Sequence, residues 1–96
     1  MTKNLVCYLF TKFDNKKKIY EFIRYYKKYS SGAKHILLIC FKLLNQQKIN
    51  SLKKLLKNIN YIEFIDRSSL NDYDFGSYKR VAMLYPKYNI LFLNSH

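Results

Sequence analysis

Tryptophan is absent from this chain of 96 residues, proline occurs once, and glycine and cysteine occur twice each. Acids are also scarce: 6 Asp and Glu stand against 18 Lys and Arg. Each shortage excludes something. With so little proline and glycine there is no hinge, no low-complexity linker and no Gly-rich repeat. Two cysteines and two distant histidines do not make a zinc framework. Cys7 and Cys40 sit inside the apolar runs "LVCYLF" and "ILLICF". Both read as buried free thiols in a reducing compartment, and a disulfide would require their two strands to be neighbours. No apolar stretch approaches the roughly 20 residues that a membrane-spanning helix needs. The first apolar run is too short for a signal peptide and is not followed by a small-residue cleavage site. The expected location is the cytoplasm.

What is present points to a folded globule. Hydrophobic residues make up 49% and aromatics 18%, too much for a disordered chain. The length allows one domain, residues 1–96, with a modest core. It is short for an enzyme with separate donor and acceptor sites. The formal charge is +12, carried mostly by lysine. A coding bias toward A/T-rich codons accounts for much of that. The functional reading is attraction to polyanions: nucleic acid, anionic lipid or a phosphorylated substrate.

Four short apolar runs punctuate the chain: residues 5–10, 36–41, 61–65 and 89–93. Such runs suit strands covered on both faces. Between them the spacing turns helical. Ile19, Phe22, Ile23 and Tyr26 form one stripe, with Asp14 as a plausible N-cap and Gly32 as a stop. Ile49, Leu52, Leu55, Leu56 and Ile59 form a second, and Phe75, Tyr78, Val81, Ala82 and Tyr85 a third that Pro86 ends. The order β-α-β-α-β-α-β predicts an α/β fold: a three-layer, Rossmann-like arrangement of a four-stranded, mostly parallel sheet with helices on both faces.

In such sheets ligands bind beyond the carboxyl ends of the strands, where strand order reverses. That edge selects Thr11, Lys12, Phe13 and Asp14, then Lys42, then Asp66 to Ser69 leading into Asn71 to Lys79, and finally Asn94 to His96. Asp72 and Asp74 can each cap the third helix, and one of them is left for a sugar hydroxyl or base edge. Gly76 falls in the first turn of that helix, where glycine costs about 1 kcal/mol relative to alanine. Either a ligand or a strand approaching the backbone closely would explain it. Lys79 and Arg80 follow, near a helix N-terminus that attracts anions. Asp66 is a loop start or a ligand for ribose. Tyr25, Tyr26 and Tyr29 either shield the edge of the core or stack on bases. The triple lysine at 16–18 reads as a solvated helix start, though it opposes the helix dipole.

The stretch "NDYDFGSYKR", followed ten residues later by "ILFLNSH", resembles bacterial polysaccharide glycosyltransferases of the rhamnan-synthesis type. In layout the whole chain looks like the N-terminal, nucleotide-binding half of a GT-A fold. That resemblance implies a donor site for a nucleoside-diphosphate sugar built from Thr11, Phe13, Asp66, Asp74, Gly76, Ser77, Lys79 and Asn94. It implies hexosyl transfer in surface polysaccharide synthesis (lipopolysaccharide or capsule), with peripheral association at the inner face of the membrane. It also implies Mg²⁺ or Mn²⁺ on acids ending the fourth strand. Here "LNSH" carries no carboxylate, so a metal-independent donor site is the alternative. The acceptor pocket and catalytic base would lie in further chain, so these 96 residues are expected to bind a donor rather than to turn over alone. The competing reading is a small basic nucleic-acid-binding protein. Against it stand the lack of a recognised binding motif and the spread of the bases along two helices. A third is an interaction fragment with an open sheet edge.

Overall fold

The computed structural model describes residues 3–11, 16–29, 34–42, 44–67 and 73–94. Strands β1 (Lys3–Thr11), β2 (Ile36–Lys42), β3 (Ile62–Asp66) and β4 (Tyr88–Asn94) alternate with helices α1 (Lys16–Tyr29), α2 (Gln46–Leu55) and α3 (Tyr73–Leu84). The sheet order is β3-β2-β1-β4 and every pairing is parallel. The chain is thus a three-layer α/β protein of Rossmann-like type. Among the described residues, no helix is long and apolar enough to cross a membrane.

The layers follow from the alternation of side chains along each strand. Tyr8, Phe10, Leu37, Ile39 and Phe41 pack with Ile19 and Phe22 of α1 and with Ile49, Leu52 and Leu56 around α2. Aromatic rings close this layer: Tyr8 lies 3.9 Å from Phe22 and 4.6 Å from Phe10, centroid to centroid. Leu5, Cys7, Leu9, Leu38 and Cys40, on the other face, pack with Val81 of α3. Two crossovers run from β1 to β3 and one returns past them to β4. Right-handed connections then place α1 and α2 on one face and α3 on the other.

That handedness explains one departure from the sequence pattern. The apolar run at 89–93 suggested a strand covered on both sides. In β4 exposure instead alternates, and Leu91 is 58% and Leu93 38% exposed. The α1–α2 layer covers β1, β2 and β3 and stops short of β4. Two-sided burial holds for β1 and β2, whose inner residues are nearly all buried.

Helix ends are uneven in quality. Asn45 caps α2, its Oδ1 accepting the Lys48 backbone N–H at 2.8 Å. Leu56 closes that helix by donating its N–H to the Leu52 and Lys53 carbonyls. α1 has no acid in its first turn and carries Lys27 and Lys28 in its last, so only its C-terminus suits the helix dipole. The expected capping roles of Asp14, Gly32 and Asp72 fall outside the described residues.

Cys7 and Cys40 do lie on neighbouring strands, but Cys7 sits opposite Leu38 and Cys40 opposite Leu9. That diagonal offset puts their Cα atoms beyond the roughly 7 Å that a disulfide can bridge. Both are buried free thiols.

Candidate ligand site at the strand tips

All four strands end in a polar residue, and the register aligns three of them. Thr11 pairs with Lys42, and Lys42 with Asp66. All three are buried, at 6%, 4% and 3% exposure. They belong to the sheet face that α3 covers, because Cys40 and Leu38, two and four residues before Lys42, pack in that layer.

α3 is fastened over this row. Ser77, fully buried, donates its hydroxyl to Asp66 Oδ2 at 2.6 Å. Arg80 donates from Nη2 to Oδ2 at 2.7 Å and from Nε at 3.1 Å to both carboxylate oxygens. Ser77 and Arg80 stand three residues apart, on one helix face. The Asp66 side chain is 2% exposed and that of Arg80 27%, so the ion pair opens to solvent only on the arginine side. Burial pushes the Cys40 thiol up beyond the usual range. Cys7 and Asp66 add to that rise, while a contact with Ser77 and the charge of Lys42 oppose it. The same helix reaches the other edge of the sheet. Asn94 Nδ2 donates to Tyr78 Oη at 3.0 Å, and the Tyr78 ring packs 4.4 Å from Phe92. β3 and β4 are three strand spacings apart, about 14 Å, and consecutive residues of α3 hold both.

These contacts locate the expected site residues. Asp66 and Ser77 meet each other, and Asn94 meets Tyr78. Thr11 ends the buried row. Gly76 is buried, so the close approach that a glycine permits is made by the chain itself. Lys79 is exposed on α3. Asp74 lies in the first turn of α3, but its side chain, like Phe13, is outside the described residues.

Strand order reverses between β1 and β4, and a groove of about 350 Å³ opens there on the α1 side. Tyr8, Phe22, Tyr25 and Leu93 form its walls, with Lys18, Glu21 and Asn94 as polar members. Lys18, Glu21, Phe22 and Tyr25 recur at helical spacing, which turns one flank of α1 toward β4. A second groove, of about 390 Å³, is lined by Tyr26, His35, Ile36, Leu37 and Tyr61 among others. There the Tyr26 hydroxyl lies 2.8 Å from His35 Nε2. It opens at the start of β2 and β3, the amino edge of the sheet, where α/β proteins do not hold their ligands.

Sequence reasoning passed over Lys18, Glu21 and Phe22 as site residues, and Lys42 as part of the buried row. Lys42 had a visible signal, a base closing an apolar run. The α1 flank had none until the position of β4 was known.

Among the described residues, the donors at the tips do not fit a divalent cation. Asn94 offers an amide whose nitrogen is turned to Tyr78, and the Asp66 carboxylate is occupied by Ser77 and Arg80. Among the described residues, no cluster of three or more His, Cys, Asp or Glu could hold a metal ion. Comparison with protein families, with curated proteins and with solved structures finds no match to this chain.

Proposed function

We propose that this chain is a nucleotide-sugar-binding module of glycosyltransferase type, holding its donor in the groove beside β1 and β4. The observation that carries the reading is the position of that groove, at the carboxyl end of the sheet where strand order reverses. Its chemistry suits the parts of such a donor. Tyr25, 57% exposed, offers an aromatic face to a nucleobase, and the buried Tyr8 and Phe22 form the apolar wall beside it. Lys18 on the α1 side and Lys79 on the α3 side supply positive charge for a diphosphate. Asn94, which lines the groove, supplies a hydrogen bond for a hydroxyl; Thr11, expected in that role, is buried on the α3 face and outside the groove lining, and Asp74 and Phe13 keep the same assignment. Gly76 and the Asp66–Ser77–Arg80 cluster act indirectly, by fixing the first turns of α3.

In glycosyl transfer an acceptor hydroxyl bonds to the anomeric carbon as the bond to the diphosphate oxygen breaks. Negative charge then grows on the leaving diphosphate, and fixed cations beside it lower the barrier. Lys18, in the groove lining, and Lys79, exposed on α3, are the bases we assign to that role. The acceptor is a growing surface glycan and the base that activates it is not assigned to any residue of this chain.

The test is ligand-observed NMR with UDP-, dTDP- and GDP-sugars, with and without Mn²⁺. One donor class should give saturation transfer to its base protons. A charge-assisted hydrogen bond contributes about 1.5–3 kcal/mol, so Lys18→Ala should weaken binding by roughly tenfold or more, and Tyr25→Ala should weaken it as well. Asp74→Ala and Lys79→Ala probe the α3 side in the same way. Binding untouched by Lys18→Ala and Tyr25→Ala would remove the groove from the account. Silence from all three donor classes would remove the function.

A further inference from the structure

The positive charge is not spread evenly over the fold. α1 (KKKIYEFIRYYKKY) holds six bases against one acid, and α2 (QQKINSLKKL) three bases and no acid. α3 (YDFGSYKRVAML) holds two bases against one acid. α1 and α2 share one face of the sheet, and α3 has the other. Helical spacing puts Lys17, Tyr20, Arg24, Lys27 and Lys28 on the flank of α1 opposite its buried Ile19 and Phe22, and all five are exposed. Lys53, Lys54 and Lys57 are exposed beside them at the end of α2, with Lys53 paired at 2.8 Å to Glu63 of β3. Helices packed side by side on one sheet run about 10 Å apart. The two basic stripes therefore form one plateau, about 20 Å along α1. Its charges are spaced within about one Debye length at physiological salt, so they act together on a planar counter-charge.

We infer that this plateau is a docking surface for an anionic lipid bilayer. Three features favour lipid over nucleic acid. The plateau is built on lysine, with Arg24 its sole guanidinium. Lysine is a hydrated point charge suited to a diffuse layer of headgroups, whereas the planar fork of arginine suits paired contacts to nucleic-acid phosphates and bases. Tyr20, 55% exposed at the centre of the stripe, has the apolar body and polar tip that settle at a membrane–water interface. The surface is the outer side of a two-helix layer, a form that suits a planar partner. Docked this way, the sheet lies parallel to the bilayer. The strand tips then open sideways along it.

Flotation with phosphatidylcholine vesicles, with and without phosphatidylserine, tests the inference. The protein should float only with the phosphatidylserine vesicles and should be released at high salt. Each Lys or Arg near such a surface contributes about 1 kcal/mol, roughly fivefold in affinity. The triple variant Arg24→Ser, Lys27→Ser, Lys28→Ser should therefore lose about 100-fold. The charge-matched triple Lys3→Ser, Lys34→Ser, Lys87→Ser, drawn from exposed positions at the amino edge of the sheet, should lose much less. Equal losses in the two triples would mean that net charge alone drives binding, and would overturn the plateau. So would an absence of flotation, or binding to duplex or single-stranded DNA that exceeds binding to the vesicles. Nucleotide-sugar binding is unchanged by either triple, so a failed donor screen and a failed flotation are separate results.

Discussion

The ion pair between Asp66 and Arg80 gives the sharpest stability test, because its two ends are buried to different depths. The Asp66 side chain is 2% exposed, and that of Arg80 27%. In Asp66→Ala the arginine can turn its head to water, so the loss is the pair itself and the Ser77 hydrogen bond. Breaking one side of a buried pair costs about 3–5 kcal/mol. Solvent access at Arg80 reduces that to about 2–3 kcal/mol. In Arg80→Ala the carboxylate stays sealed in and loses its guanidinium partner, and the full range applies. The arginine variant should therefore be the less stable of the two, although arginine is the more exposed residue. The double variant Asp66→Ala, Arg80→Ala should be less destabilised than the sum of the singles, by about 2 kcal/mol. A domain of this size has roughly 5–14 kcal/mol in all, so either single removes a large share of it. Urea titration followed by far-UV circular dichroism reads the outcome. With m of about 1–3 kcal/mol/M, the midpoint should fall by about 1 M or more in each single at unchanged m. Additive losses in the double variant, or an aspartate variant weaker than the arginine variant, would refute the reasoning.

The buried thiols predict a pH dependence of stability. Burial raises Cys7 from 9.0 to about 12 and pushes Cys40 up further. The folded form therefore keeps both protons while the unfolded chain loses them near pH 9. Stability from this source is intact below about pH 8 and declines as pH rises through 9, by about 1.5 kcal/mol between pH 8 and 9.5 for the two thiols together. Urea midpoints across that range should show the slope in the wild type, and Cys7→Ala, Cys40→Ala should abolish it. The Asn45 cap predicts a smaller, local loss. Asn45→Ala removes the acceptor for the Lys48 N–H and should cost about 1 kcal/mol, lowering Tm by about 4–8 °C. Calorimetry would read that shift, and Asn45→Asp should restore most of it.

Much of the architecture was legible in the sequence, for a local reason. "LVCYLF" and "ILLICF" are too short for buried helices and too apolar for half-exposed strands, so two covered strands were nearly forced. The helical stripes were equally plain, and alternation fixed the parallel sheet. What could not be read was which strand each helix covers. "NILFL" looks like the other apolar runs, yet Leu91 and Leu93 face solvent, because coverage depends on crossover direction and not on composition. Boundaries moved for similar reasons. Tyr61 falls outside β3 and Asp66 inside it, since the ladder to Lys42 extends one residue past the apolar run.

The site divides along the same line. Strand-tip residues could be selected by rule, and Thr11, Asp66 and Asn94 do end their strands. Their partners could not be selected, because Asp66 and Arg80 are separated by fourteen residues and meet only through the packing of α3. That packing separates two groups of residues that sequence alone had merged. The acid, serine and arginine of "NDYDFGSYKR" and its approach satisfy one another on the α3 face. The groove lined by Tyr8, Lys18, Phe22 and Tyr25 lies across the sheet, on the flank of α1 that β4 leaves uncovered. A helix clamped at both sheet edges, by Asp66 on one side and Asn94 on the other, holds the β1–β4 boundary in register. Loosening either clamp should therefore reach the groove without touching it, which makes Asp66 and Tyr78 positioning residues for any ligand bound there.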